Sequence, residues 1–219
     1  MEKKAVLFDL DGTLVNSLPD IADCMNQALA LHGLPAHPLA AYNHMVGNGA
    51  AMLARRAVGE AHAELAEAVL RDYSPRYAAH CYDASCLYDG IAEMLKALRA
   101  AGLRLAVLSN KDDPDVASVI GHYFEDAPFE ILRGRLPGVP LKPNPAAALD
   151  IAREMGLEPG EFWYLGDTPV DMQTCRDAGM DFIAVSWGFR SEQELREAGA
   201  ARIAATPEEA LGMMLRGEG

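Results

Sequence analysis

Four short apolar runs punctuate the chain: Ala5-Val6-Leu7-Phe8, Leu103-Arg104-Leu105-Ala106-Val107-Leu108, Phe162-Trp163-Tyr164-Leu165 and Phe182-Ile183-Ala184-Val185. Each is nearly continuous rather than alternating, as expected of a strand covered on both faces. Between them, apolar positions recur at helical spacing. Ile91, Met94, Leu95 and Leu98 share one face, and Gly102 is placed to end that helix. Asn144 and Pro145 open a second helix as N-cap and first helical residue, with Gly156 as its stop; a third runs from near Asp171 to Gly179. Strands alternating with helices predict a parallel sheet in an α/β fold. Beyond Arg190 the pattern predicts a helix, a short strand at Arg202-Ile203-Ala204 and a final helix from near Thr206-Pro207.

Residues 15–85 break this alternation, with no comparable strand run. Ile21, Met25, Ala28 and Leu29 fall on one helical face, as do Leu65, Val69, Tyr73 and Tyr77, although Pro75 should kink or split the latter helix. The prediction is an all-helical domain at 15–85, inserted just after the first strand of a core formed by residues 1–14 and 86–219.

The chain's 219 residues suffice for such a core and insert. Lys and Arg number 19 against 32 Asp and Glu, a net charge of −13. That balance argues against general nucleic-acid binding and against anionic membranes. It also means that a phosphorylated substrate needs local positive charge to offset the global field. The apolar run after Lys4 is too short for a signal-peptide core or a membrane span. Cys24, Cys81, Cys86 and Cys175 form no C-x-x-C pair, so free thiols in a reducing cytoplasm are expected, with a Cys81–Cys86 bridge as the alternative. Monomer and homodimer both remain open.

The chemically informative residues follow the strands. In open α/β sheets ligands bind at the carboxyl ends of strands. Asp9 and Asp11 follow the first run, Ser109 and Asn110 the second, Asp167 and then Asp171 the third. Gly12 allows a tight turn that offers a backbone N–H to an anion. Two carboxylates about 4 Å apart repel by roughly 4 kcal/mol at an effective dielectric near 20, so such a cluster calls for a cation. An all-oxygen donor set favours magnesium over zinc. Lys142, in Lys142-Pro143-Asn144-Pro145, puts an ammonium beside a helix N-terminus. Arg55 and Arg56 are expected as solvated helix positions, with a reach to an anionic substrate as the alternative.

Asp9-Leu10-Asp11-Gly12-Thr13-Leu14-Val15, Ser109-Asn110, Lys142 and Gly166-Asp167-Thr168-Pro169-Val170-Asp171-Met172 resemble, in order, the four motifs of the haloacid dehalogenase superfamily. The resemblance covers nearly the whole chain and implies a Rossmann-like parallel sheet core with an inserted all-helical cap. It implies a phosphatase using Mg2+, with Asp9 as nucleophile and metal ligand. Asp11 would be the general acid and then base, its main-chain carbonyl also meeting the metal. Asp167 would be a further ligand and Asp171 an outer partner. Ser109, the N–H of Asn110 and Lys142 would hold the phosphate. Gly47, Asn48 and Gly49, in Val46-Gly47-Asn48-Gly49, resemble the specificity loop of phosphoglycolate phosphatases, as does Trp187-Gly188-Phe189 after the fourth run. The expected partner is a small phosphorylated metabolite, 2-phosphoglycolate first. A sugar phosphomutase, another sugar-phosphate phosphatase, a dehalogenase and a non-catalytic phosphate-ester binder are the competing readings.

Overall fold

The computed structural model describes residues 1–124 and 128–216. In chain order the elements are β1 (Ala5–Phe8), β2 (Val15–Asn16), α1 (Leu18–Leu31), α2 (Leu39–Met45), α3 (Ala50–Val58), α4 (Ala66–His80), β3 (Cys86–Leu87), α5 (Ile91–Ala100), β4 (Arg104–Asp112), α6 (Asp113–Tyr123), β5 (Ile131–Arg135), α7 (Ala146–Glu154), β6 (Phe162–Gly166), α8 (Pro169–Ala178), β7 (Asp181–Val185), α9 (Glu192–Glu197), β8 (Ile203–Ala204) and α10 (Pro207–Arg216), with 3-10 turns at Glu60–Leu65 and Pro159–Glu161. They fall into two compact units: Met1–Val15 with Leu87–Gly219, and Asn16–Cys86.

The larger unit is built on a six-stranded sheet of order β5-β4-β1-β6-β7-β8. All its neighbouring pairs are parallel. The apolar runs explain it. Ala5 to Phe8 and Leu165 are wholly buried, and a large apolar side chain contributes about 1.5–3 kcal/mol when removed from water. One face of the sheet packs against α7 and α8 through Leu7, Tyr164, Ala148, Ile151 and Cys175. From β1 the chain builds outward through β4 and β5, then returns to β6 on the other side of β1. The strand order therefore reverses at β1, the position where doubly wound sheets open a crevice. Phe8 is level with Val107 and Leu165, so one step further lie Asp9, Leu108 and Gly166, and next come Ser109 and Asp167.

Strand β5 has no counterpart among the apolar runs. Its sequence, Ile131-Leu132-Arg133-Gly134-Arg135, buries only Ile131 and Gly134, because it lies at the sheet edge, covered on one side only. Helix α8 starts at Pro169, earlier than Asp171, because Thr168 caps it: its side chain and that of Asp171 form a reciprocal capping box. Helix α7 starts one residue later than expected, at Ala146, whose N–H donates 2.9 Å to Asn144 Oδ1.

The second unit is helical. Ile21, Met25, Ala28 and Leu29 of α1 are buried with Tyr42, Leu53, Val69, Tyr73 and Tyr77. Helix α4 is not split at Pro75 but runs through it. Asn26 ties α1 to the segment before α2. Its side chain pairs with both backbone groups of His37, at 2.8 and 2.9 Å, and accepts from Tyr42 Oη at 2.7 Å. Buried Asp20 accepts from the N–H groups of Ala84 and Ser85 at 2.9 and 2.8 Å, fixing the returning chain to the start of α1. All four cysteines are free thiols, and only Cys86 is exposed. Among the described residues no helix is long and apolar enough to cross a membrane.

Candidate active site

Asp9 stands just beyond β1, 7% exposed. Its Oδ1 accepts from the Leu10 N–H at 2.7 Å and lies 2.8 Å from Lys142 Nζ. Lys142 Nζ also donates to Leu108 O at 3.0 Å and to Asp171 Oδ1 at 2.8 Å, so its three protons meet three oxygens. The lysine is held from behind by Asn110. The Asn110 amide donates to Lys142 O at 3.0 Å and accepts from Lys142 N–H at 2.9 Å. This reciprocal pair fixes the segment that carries Lys142 to the end of β4, where the ladder between β4 and β5 slips out of register. Ser109 belongs to the same irregular stretch, and its Oγ accepts from Lys111 N–H at 3.2 Å.

Asp167 is fully buried. Thr13 Oγ1 donates to its Oδ1 at 3.3 Å and the Phe189 N–H to its Oδ2 at 2.7 Å. Gly12, at φ +86°, lies so close that any Cβ there would collide with the Asp167 carboxylate. A Cβ at Gly188 would strike both Gly12 O and Asp167. Trp187 completes this side, its Nε1–H donating to Thr13 O at 3.0 Å. Asp171 accepts four hydrogen bonds: Lys142 and Tyr164 Oη, at 3.2 Å, on Oδ1, and Thr168 N–H and Oγ1, at 3.2 and 2.5 Å, on Oδ2. That fills its lone pairs, leaving it to orient Lys142 rather than meet a cation directly.

Asp9, Asp167 and Asp171 offer carboxylate oxygens all within 4.8 Å of one another. Burial and then the neighbouring Asp171 charge push Asp9 up to about 7, against the pull of Lys142. The same two causes, in the same order, raise Asp167 well above the carboxylate range. For Lys142 burial favours the neutral amine, but the Asp171 and Asp9 charges outweigh it and the ammonium is held more firmly than usual. Carboxylates that hold protons in this way have the electrostatic signature of a site suited to a cation. Oxygen donors alone, with neither His nor Cys among them, suit a hard ion such as Mg2+.

The sequence-predicted residues Asp9, Asp11, Gly12, Ser109, Asn110, Lys142, Asp167 and Asp171 thus all belong to the parallel-sheet unit. Gly47, Asn48 and Gly49 belong to the helical unit, on the turn from α2 into α3. Lys111 is a partner the sequence reading missed. Its Nζ lies 3.0 Å from Asp11 Oδ2, and the two side chains are only 6% and 13% exposed. Its place directly after Ser109-Asn110 was the available signal.

The buried acid cluster and Lys142 thus lie at the switch point of a parallel α/β sheet, a setting that suits phosphoryl chemistry. A sequence model of the haloacid dehalogenase-like hydrolases matches residues 3–179. The chain belongs to that family and is a phosphatase within it. A phosphoglycolate phosphatase from Pseudomonas putida is 34% identical over 197 residues, 85% of this chain and 70% of its own length. One from Haemophilus influenzae is 34% identical over 204 residues, 89% and 90% of the two chains. The crystal structure of a predicted phosphoglycolate phosphatase from Haemophilus somnus matches with TM-score 0.89 and 30% identity, covering 97% of this chain and 98% of that one. A crystal structure from Lactobacillus delbrueckii subsp. bulgaricus matches with TM-score 0.93 and 29% identity, covering 98% and 99%.

Proposed function

We propose that this phosphatase hydrolyses 2-phosphoglycolate with Mg2+, through an aspartyl-phosphate on Asp9. The observation that carries the chemistry is the environment of Asp9: both donors converge on Oδ1, which leaves Oδ2 to attack phosphorus. As the Oδ2–P bond forms, the bond from phosphorus to the ester oxygen breaks and Asp11 gives that oxygen its proton. Asp11 then takes a proton from water. The water oxygen attacks phosphorus, the P–Oδ2 bond breaks, and inorganic phosphate leaves with Asp9 restored. Lys142, Ser109 and the Asn110 N–H hold the phosphoryl oxygens while charge shifts among them. Asp9, Asp167 and the main-chain carbonyl of Asp11 would hold Mg2+, which would supply positive charge against those same oxygens. Residues 16–86 act as the cap, with Gly47, Asn48 and Gly49 meeting the carboxylate of the substrate.

The names of the relatives and the Gly47-Asn48-Gly49 turn support the choice of substrate. The test is phosphate release from a panel of 2-phosphoglycolate, hexose phosphates, nucleotides and pyrophosphate, with Mg2+ and with chelator. A metal-dependent preference for 2-phosphoglycolate is expected. Preference for another ester overturns the substrate but keeps the mechanism. A sugar-bisphosphate intermediate that persists without net phosphate release identifies a mutase instead.

A further inference from the structure

Arg56, in the last turn of α3, is not the solvated position its sequence suggests. It is half-buried and turned back toward the loop that precedes its own helix. Nη1 donates to Met45 O at 2.8 Å and Nη2 to Asn48 Oδ1 at 2.7 Å. One planar fork therefore spans the loop. It takes the last carbonyl of α2 on one side and the side chain of the loop's middle residue on the other. Its neighbour Arg55 is exposed, so the two arginines have different duties.

The contact also decides which way the Asn48 amide faces. A guanidinium has only donors, so the atom turned to Arg56 must be Oδ1, and the Nδ2–H pair is directed elsewhere. Gly47 and Gly49 have φ of +115° and +82°, a region glycine enters freely, and neither has a side chain to anchor it. Val46 leaves α2 in an extended conformation and Gly49 caps α3 without a side-chain hydrogen bond. The guanidinium fixes the one residue between the glycines that has a side chain.

We propose that Arg56 is a positioning residue for substrate selection: it holds the Gly47-Asn48-Gly49 loop in one conformation and presents the Asn48 amide as a donor to the anionic end of the substrate remote from the phosphate. The inference rests on the reading of this loop as the specificity loop. Arg56 itself does not touch the reacting atoms. Its loss therefore acts on substrates that carry the remote anion and spares those that lack it. Lysine is a poor replacement, because one ammonium does not reproduce the two-pronged geometry.

The experiment is steady-state kinetics of the wild type, Arg56→Met, Arg56→Lys and Asn48→Ala on 2-phosphoglycolate and on ethyl phosphate, which is of similar size without the carboxylate. The wild-type preference is measured first and tests the loop reading by itself. If 2-phosphoglycolate is not preferred, that reading fails, and the variants are run on the ester the wild type does prefer. Arg56→Met is expected to raise KM for the preferred anionic ester about tenfold or more, the scale of losing charge-assisted hydrogen bonds. Its kcat should change little, and kcat/KM on ethyl phosphate should change less than about threefold. Arg56→Lys should recover only a small part. Asn48→Ala, which removes the acceptor from the other side, should show the same selective rise and keeps the test available if Arg56→Met folds poorly. An equal loss on both esters, or an unchanged KM for the preferred ester in both Arg56→Met and Asn48→Ala, overturns the proposal.

Discussion

Lys142 donates to oxygens from three separate parts of the sheet unit: Leu108 O in β4, Asp9 Oδ1 beyond β1 and Asp171 Oδ1 in α8. Such a lysine fixes the two acids relative to each other as firmly as it balances their charge. Asp9→Asn keeps an oxygen for Lys142 and removes the proposed nucleophile. Phosphate release is expected to fall by about a thousandfold or more, with the metal-free melting temperature unchanged or higher, because one buried negative charge is gone. Substantial turnover in a clean preparation of this variant would rule Asp9 out as nucleophile. At this scale the sequence was informative about where a residue stands. Asp9, Ser109 and Asp167 were legible because each follows an apolar strand run. Lys111 and Arg56 were not, since each has a partner that only the folded chain brings near, Asp11 for one and the loop before α3 for the other.

Among the elements, the segment after β7 shows how a loop serves a site it does not enter. Trp187, Gly188 and Phe189 seat themselves on Thr13, Gly12 and Asp167. Gly188→Ala brings a methyl group onto Gly12 O and the Asp167 side chain, so the carboxylate must shift. A misplacement of about 1 Å can cost on the order of a hundredfold in rate, and that loss is expected here. Isothermal titration with Mg2+ should show weakened binding alongside it. Intact metal affinity with lost activity would point away from Asp167. Strands β1, β4, β6 and β7 could be read from the sequence because burial on both faces writes a continuous apolar run. Strand β5 could not, since an edge position asks for no such run, and Arg133 and Arg135 occupy it at no cost. Of the kink or split that Pro75 suggested, the split does not occur: α4 continues through the proline with Val69, Tyr73 and Tyr77 buried.

The whole molecule carries a net charge of −13, and its cluster of buried acids adds a local cost. Without metal, Asp9 titrates near 7 in the folded chain against an ordinary value of 3.8, and Asp167 is shifted the same way. The folded state therefore holds protons that the unfolded chain has already lost. The contribution of Asp9 to stability is complete below about pH 4 and disappears as pH rises through about 7, and Asp167 acts in the same direction. On the proposed function Mg2+ would compete for the same oxygens and restore what deprotonation removes. Thermal melts with and without Mg2+ are expected to differ by about 5 °C or more at pH 7.5 and far less at pH 5. Equal shifts at both pH values would exclude this linkage.

The strand-order reversal at β1 has a consequence during synthesis. Ala5 pairs with Arg104 on one side and with Phe162 on the other. The most buried strand of the sheet is thus made first and meets its second neighbour only after most of the chain has followed. At ~5–20 residues per second that interval is on the order of ten seconds or more, during which an apolar segment waits without its ladder. The helical unit, residues 16–86, has been synthesised well before then. Translation therefore delivers the helical insert early and the second partner of β1 late, which leaves the apolar residues 5–8 without half of their ladder until β6 emerges.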